Sequence, residues 1–327
     1  GSSGDINIVD NDISSTRFGL RGNQKINYGL TASVLIEGQM QDNPSNTRNL
    51  DNAGAGTAQD GAASNWSTRH ARVGLGGKWG ALFVGRTSTA SDGVTNIDLS
   101  TARDVSNSSI SRIGGATVVG PNGETVGNLT DNIDSIGFGS NQHGADRANL
   151  VRFDTPTVQG LKGRFSYTQN QDVDAAVLYN GTFDGVDVAG GASYVKYDSD
   201  TSGGLATSNA VADYAWTVTA SAKHDSGVSA TVNYGERNFD NLGTGQDDPT
   251  ALYAKLGYQY NNTGVAVDYT KNDDAIVAIS NTDTSEAEAY GAYVQQDLSH
   301  GVSTAAFYKQ IQTEVSNADG NDLDLFG

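Results

Sequence analysis

The chain has 327 residues, 20 Lys and Arg against 38 Asp and Glu for a formal net charge of −18, no cysteine, four prolines and 41 glycines. Without cysteine there is no disulfide scaffold, Cys zinc site or thiol nucleophile, and the acidity argues against a nucleic-acid partner, which needs clustered Lys and Arg. No apolar run approaches the roughly 20 residues of a membrane helix, which leaves a membrane β-barrel open.

Residues 1–15 form a polar, loop-like stretch in which no signal peptide is visible, as expected if a signal has been removed or if the sequence begins partway into the mature protein. Strands are then predicted near 15–23, 27–39, 66–79, 81–89, 147–155, 160–169 and 173–181. Seven more follow near 185–198, 213–224, 227–237, 250–261, 264–271, 286–298 and 301–313, with a further start at Leu323-Asp-Leu-Phe326. The evidence is a period of two. Leu30, Ala32, Val34 and Ile36 share one face, and Thr31, Ser33 and Glu37 the other. Trp216, Val218, Ala220 and Ala222 oppose Thr217, Thr219, Ser221 and Lys223. Val228, Ala230, Val232 and Tyr234 alternate with Ser229, Thr231 and Asn233. Such alternation gives strands with one apolar and one polar face.

Connections alternate in length. Short turns at 22–25, 78–80, 155–160, 180–185, 224–227, 261–264 and 298–301 are interleaved with long polar loops around 40–65, 90–146, 199–212, 238–249 and 272–285. Short turns on one rim and long loops on the other describe an up-and-down barrel of the outer-membrane kind. A soluble sandwich would bury large aliphatics on the apolar face. Here that face is rich in Ala, Gly, Val and Tyr, and the strands are near the 9–11 residues a tilted membrane strand needs. Trp79 and Trp216 sit at predicted strand ends, where an aromatic girdle lies. The expected fold is all-β, one transmembrane antiparallel barrel over residues 1–327.

Several segments resemble the general bacterial porins, which are trimeric sixteen-stranded channels of the Gram-negative outer membrane. Ser15-Thr-Arg-Phe-Gly-Leu-Arg-Gly22 resembles their second strand. Arg72-Val-Gly-Leu-Gly-Gly-Lys-Trp-Gly-Ala-Leu-Phe-Val-Gly-Arg86 resembles the hairpin that ends in a Gly-Arg pair before the long third loop. Asn149-Leu-Val-Arg-Phe-Asp-Thr-Pro156 resembles the strand that leaves it. Fourteen strands plus one missing at the start and one truncated at the end would give sixteen, so the sequence is expected to be incomplete at both ends.

The resemblance implies that residues 90–146 fold inward and narrow the lumen, supplying Asp92, Asp98, Asp104, Glu124, Asp131 and Asp134. It sets Arg17, Arg86 and Arg147 on a facing basic wall. Parity adds Arg21 and Arg72, opposite in sense to Phe18 and Leu20 and to Val73 and Leu75. The Pro-Glu-Phe-Gly-Gly-Asp type of acidic motif that porins carry in this loop is not present. The net charge points to a weak cation preference, which local arginines would reverse.

The expected function is passive diffusion of small hydrophilic solutes and ions, by a homotrimer in contact with outer-membrane lipid and lipopolysaccharide. No cofactor, metal or catalytic residue is expected. The histidines are scattered, no Gly-x-Ser-x-Gly elbow supports a lipase, and loop acids such as Asp273 and Asp274 lack EF-hand spacing. Two alternatives share the barrel. A solute-specific sugar or organic-acid channel would line the passage with an aromatic track, to which Tyr179, Tyr253 and Tyr293 could contribute. A structural or adhesive barrel would bind partners through its loops.

Overall fold

The structure, a computed structural model, describes all residues except 1–7, 12, 41–44, 46–65, 107, 109–116, 120–124, 129–146, 199–210, 241, 243–246, 275–283 and 316–317. Among the described residues, seventeen strands occur in chain order. They are β1 Thr16–Lys25, β2 Thr31–Met40, β3 Trp66–Gly77, β4 Gly80–Ser88, β5 Thr117–Val119, β6 Thr125–Asn128, β7 Arg147–Asp154, β8 Leu161–Thr168 and β9 Val173–Phe183. After these come β10 Val186–Lys196, β11 Val211–His224, β12 Val228–Asp240, β13 Thr250–Tyr260, β14 Thr263–Asp273, β15 Ser285–Asp297, β16 Ser303–Val315 and β17 Ala318–Phe326. Fifteen of them form one sheet in sequential order, and β5 and β6 form a separate hairpin. Each strand of the large sheet pairs antiparallel with the next strand of that sheet in chain order, β4 with β7 across the β5–β6 hairpin, the meander of an up-and-down barrel. All fourteen expected strands are present. The expected opening at Leu323 is part of β17, a nine-residue strand beginning at Ala318 and paired along β16.

Burial runs opposite to that of a soluble protein. On β12, Ser229, Thr231 and Asn233 are buried, while Val228 and Val232 are exposed. Asn233 is 1% exposed and Val232 48%. The same inversion holds on β11, where Thr217, Thr219 and Ser221 are buried and Val218 is not. A soluble sandwich would reverse these assignments; a barrel with lipid outside and a polar interior requires them.

Two rows of aromatic pairs band the outer face. Towards the long loops, Phe18 meets Trp66 at 4.6 Å between ring centroids, Trp216 meets Tyr234 at 5.5 Å and Tyr269 meets Tyr290 at 5.1 Å. Towards the short turns, Trp79 stacks on Phe153 at 6.0 Å and Tyr179 on Phe183 at 6.2 Å. Amphipathic rings at both interfaces are the girdles of a membrane barrel. Trp79 lies in the β3–β4 turn as expected, whereas Trp216 lies inside β11 rather than at its end. The tight turns need left-handed backbone: Gly227, between β11 and β12, has φ of 93°, and a Cβ there would meet the Gln259 carbonyl.

Val267, 54% exposed in the middle of β14, sits in the apolar band. Val267→Arg is expected to destabilise the folded barrel by about 2–4 kcal/mol, measured by reversible denaturant unfolding in lipid vesicles.

Candidate pore constriction

The inner wall has two contrasting stretches. On β1–β8 the inward positions carry a cluster of cations. Arg17, Gly19 and Arg21 oppose Gln39, Glu37 and Leu35, on the parity opposite to exposed Phe18 and Leu20. Arg72 points inward opposite Leu35. Its guanidinium lies 4.2 Å from the centroid of the Phe83 ring, and that of Arg152 lies 5.1 Å from the same centroid. One aromatic plate thus supports two like charges through cation–π attraction. Arg152 Nε donates to Asp154 Oδ1 at 2.8 Å, Lys162 Nζ lies 2.9 Å from Asp154 Oδ2, and Arg164 Nε is 4.0 Å from the same oxygen. One buried carboxylate is therefore shared by three cations.

A register shift between Glu37 and Gly38 adds one more. Glu37 pairs with His70 and Gly38 with Thr68, so Arg69 is the extra residue of a β-bulge. Arg69 Nε lies 3.0 Å from Glu37 Oε1, and its Nη1 donates to Gln39 Oε1 at 2.6 Å. Among the described residues, the inward cations Arg17, Arg21, Arg69, Arg72, Arg152, Lys162 and Arg164 on β1–β8 face only Glu37 and Asp154 as inward acids.

Two of the expected wall residues need separate treatment. Arg86 pairs with Asn149 and has the parity of exposed Leu82 and Val84, so it lies on the outward face, where its Nε donates to Thr68 O at 2.9 Å. The inward position of the Gly-Arg pair is taken by Gly85, whose φ of 122° and contact with the Ala71 carbonyl leave no room for a side chain. Arg147 opens β7 opposite Ser88, on the outward parity at the long-loop end of the strand.

The second stretch of the wall, β8–β15, is covered by residues 89–106 of the loop that follows β4. Ala90 N donates to Ser166 Oγ on β8 at 2.9 Å, and Ser91 N and Oγ donate to Asp174 Oδ2 on β9 at 2.9 and 2.8 Å. Leu99 N donates to Ser221 Oγ on β11, and Asn233 Nδ2 on β12 donates to Thr95 O. Ser106 Oγ donates to Asp268 Oδ2 on β14 at 2.6 Å. Small wall residues make room for this path. A Cβ on Gly191 would come within 2.9 Å of Ile97 Cδ1 and 3.2 Å of Val94 Cγ1. Ala176 packs against Ala90 and Val94, and Ala266 against Ala102.

The expected loop acids fall into distinct positions. Asp92 and Asp104 are on the loop, with Arg164 Nη1 reaching Asp92 O at 3.5 Å and Gln295 Nε2 reaching Asp104 Oδ2 at 3.4 Å. Asp98 faces the wall: Lys255 Nζ on β13 is 2.9 Å from its Oδ2, and Thr231 Oγ1 and Ser100 N donate to its Oδ1 at 2.7 Å. Burial works against the Asp98 charge, but the Lys255 ammonium and these donors outweigh it and hold the carboxyl below the usual range. A depressed carboxyl contributes stability above its unfolded-state range and loses it as pH falls through the folded value. This contact is therefore in place at neutral pH and releases only below the ordinary carboxylate range. Glu124, Asp131 and Asp134 lie outside the described residues.

The aromatic track is not formed. Tyr179 has outward parity and stacks on Phe183. Tyr253 and Tyr293 point inward but are buried, with their hydroxyls on Asp268.

An antiparallel meander with lipid-facing apolar residues and a polar interior crossed by a loop defines an outer-membrane channel. The family model for Gram-negative porins matches residues 1–316, and the chain belongs to that family, whose members are diffusion channels of the bacterial outer membrane. Among solved structures it is similar to the anion-selective porin from Comamonas acidovorans, with 17% identity, 95% of this chain and 85% of that chain covered, and a TM-score of 0.57. It is similar to Salmonella typhi OmpF in complex with daunomycin, at 17% identity, 90% and 81% coverage and a TM-score of 0.54. It is also similar to the trimer form of Vibrio cholerae OmpT, at 12% identity, 95% and 88% coverage and a TM-score of 0.50. No curated protein sequence matches it.

Proposed function

We propose that this porin passes small hydrophilic solutes and inorganic ions passively and prefers anions. The observation that carries the reading is the imbalance of the inner wall: the Arg and Lys cluster on β1–β8 faces a loop whose acid Asp98 is turned away from the passage. Selectivity follows charge lining the narrowest section rather than the net charge of the chain. The overall −18 therefore does not govern the sign, and a cation preference gives way to an anion preference. The constriction lies between that cluster and residues 89–106.

Arg17, Arg21, Arg69, Arg72, Arg152 and Arg164 set the field. The described acids Asp92 and Asp104 provide the opposing charge. Permeation here makes and breaks no bond and uses no cofactor. Assembly as a homotrimer is supported by the trimer form of the Vibrio cholerae relative, and the aromatic bands are suited to outer-membrane lipid and lipopolysaccharide.

The test is single-channel recording in planar bilayers together with liposome swelling. Ohmic steps arriving in threes and unsaturable uptake of small sugars are expected. A folded barrel without conductance would instead favour a structural or adhesive role, and saturable uptake of one solute would favour a specific channel.

A further inference from the structure

Three of the loop's contacts with the wall centre on a carboxylate, and one of them is built differently. At the two ends the wall supplies the carboxylate and the loop supplies neutral donors: Asp174 accepts from Ser91 N and Oγ, and Asp268 accepts from Ser106 Oγ. At the middle site the roles reverse. The loop supplies the carboxylate of Asp98 and the wall supplies the ammonium of Lys255, whose side chain is 0% exposed. A buried ion pair is a poor device for stability alone, because desolvating two charges offsets most of their attraction. The contacts at either end fasten the same loop with one buried carboxylate and neutral donors rather than with two opposite charges.

We infer that Lys255 is a selectivity-determining positioning residue: it turns Asp98 onto the wall and cancels its charge, so that the loop acid adds no negative field to the passage. The inference rests on the reading of this chain as an anion-preferring porin. Lys255 never meets the permeating ion and acts through Asp98. Both carboxylate oxygens are committed to the wall side or to the loop backbone, Oδ2 to Lys255 and Oδ1 to Thr231 and Ser100 N. The other charged or titratable groups around the pair are Arg103 on the loop, Asp268 on β14 and Tyr253 on β13, with Lys309 acting on Asp268 in turn. Without the ammonium, Oδ2 of Asp98 has no partner, and its nearest high-dielectric surroundings are the water of the lumen. An ionised carboxylate left unpaired in a buried site is driven towards water. The carboxylate would then stand in the passage, opposite the arginines.

The experiment uses the full refolded chain in planar bilayers under a KCl gradient at pH 8. Wild type is compared with Lys255→Met, Lys255→Gln and the double variant Asp98→Asn/Lys255→Met. One uncancelled elementary charge about 10 Å from the ion path, in water, changes the local concentration of each ion about twofold in opposite directions. Lys255→Met is therefore expected to lower the chloride-over-potassium permeability ratio by about fourfold. Lys255→Gln, whose amide can still hydrogen-bond Asp98, should lower it in the same sense. The double variant should return to within about twofold of wild type, and the shift in Lys255→Met should vanish on acidification that protonates Asp98.

Either single variant conducting with the wild-type ratio at pH 8 overturns the inference, as does a double variant that keeps the full shift. An anion-preferring wild type with unmoved variants removes only the role of Lys255. A wild type that does not conduct, or that prefers cations, removes the underlying channel reading and the inference with it.

Discussion

Arg72→Gln, Arg152→Gln and Arg164→Gln combined are expected to turn the proposed anion preference into a cation preference. These three side chains come from β3, β7 and β8 and converge around Phe83 and Asp154. Removing them leaves Lys162 as the remaining cation within reach of Asp154. Each elementary charge about 10 Å from the ion path alters the anion-over-cation ratio about fourfold in water, so three alter it roughly sixtyfold before screening. Salt at 0.1 M screens over about 10 Å, so the effect is largest in dilute electrolyte and shrinks as salt rises. Reversal potentials at two salt concentrations read both features. A ratio unchanged in dilute salt would contradict the placement of the selectivity field on this wall.

The second large effect concerns the loop. Asp174→Ala is expected to widen the passage and make the open-channel current noisier. Asp174 is buried and accepts from both the backbone and the hydroxyl of Ser91, at the point where the chain leaves the wall of β4 and turns across the lumen. Stranding those donors costs about 1–3 kcal/mol for each group that water cannot reach. The anchored state then competes poorly with one in which Thr89–Asp92 are hydrated and the loop stands off the wall. Single-channel conductance should rise, and liposome swelling should admit larger sugars than wild type does. Combining it with Asp268→Ala, which releases Ser106 at the other end, should enlarge both changes. Wild-type conductance and size cut-off in the double variant would show that the loop is held by shape alone.

The architecture was readable because a barrel strand imposes strict alternation, and all fourteen predicted strands occur. The same alternation identifies Arg21 and Arg72 as inward against exposed Phe18, Leu20 and Val73. It could equally have identified Arg152 against Val151, and Arg164 against Phe165, since both neighbours are exposed. Arg69 was hidden for a physical reason: the bulge at Glu37/Gly38 breaks the alternation, and nothing local in the sequence marks where an extra residue enters the ladder. For Arg86 the motif and the parity disagree: the Gly-Arg match sets it on the wall, whereas parity sets it with Val84 on the outward face.

The fastening of the loop was not legible at all. Asp98 and Lys255 are 157 positions apart, as are no two residues that a pattern of local periodicity can relate. Alternation marks Lys255 as inward, but only the folded path of residues 89–106 shows that an acid covers it. The small inward residues Gly191 and Ala176 were a usable hint, since an inner wall stripped of side-chain bulk leaves space for something else to fill.

In the proposed channel the sign of selectivity is set by the inner wall and not by the charge of the whole chain. The most direct test is the zero-current potential of the wild-type channel across a tenfold gradient of dilute KCl. A potential of the sign that marks chloride as the more permeant ion is the predicted result. A potential of the opposite sign from an open, well-folded channel would contradict the account and return control of selectivity to the acidic loops.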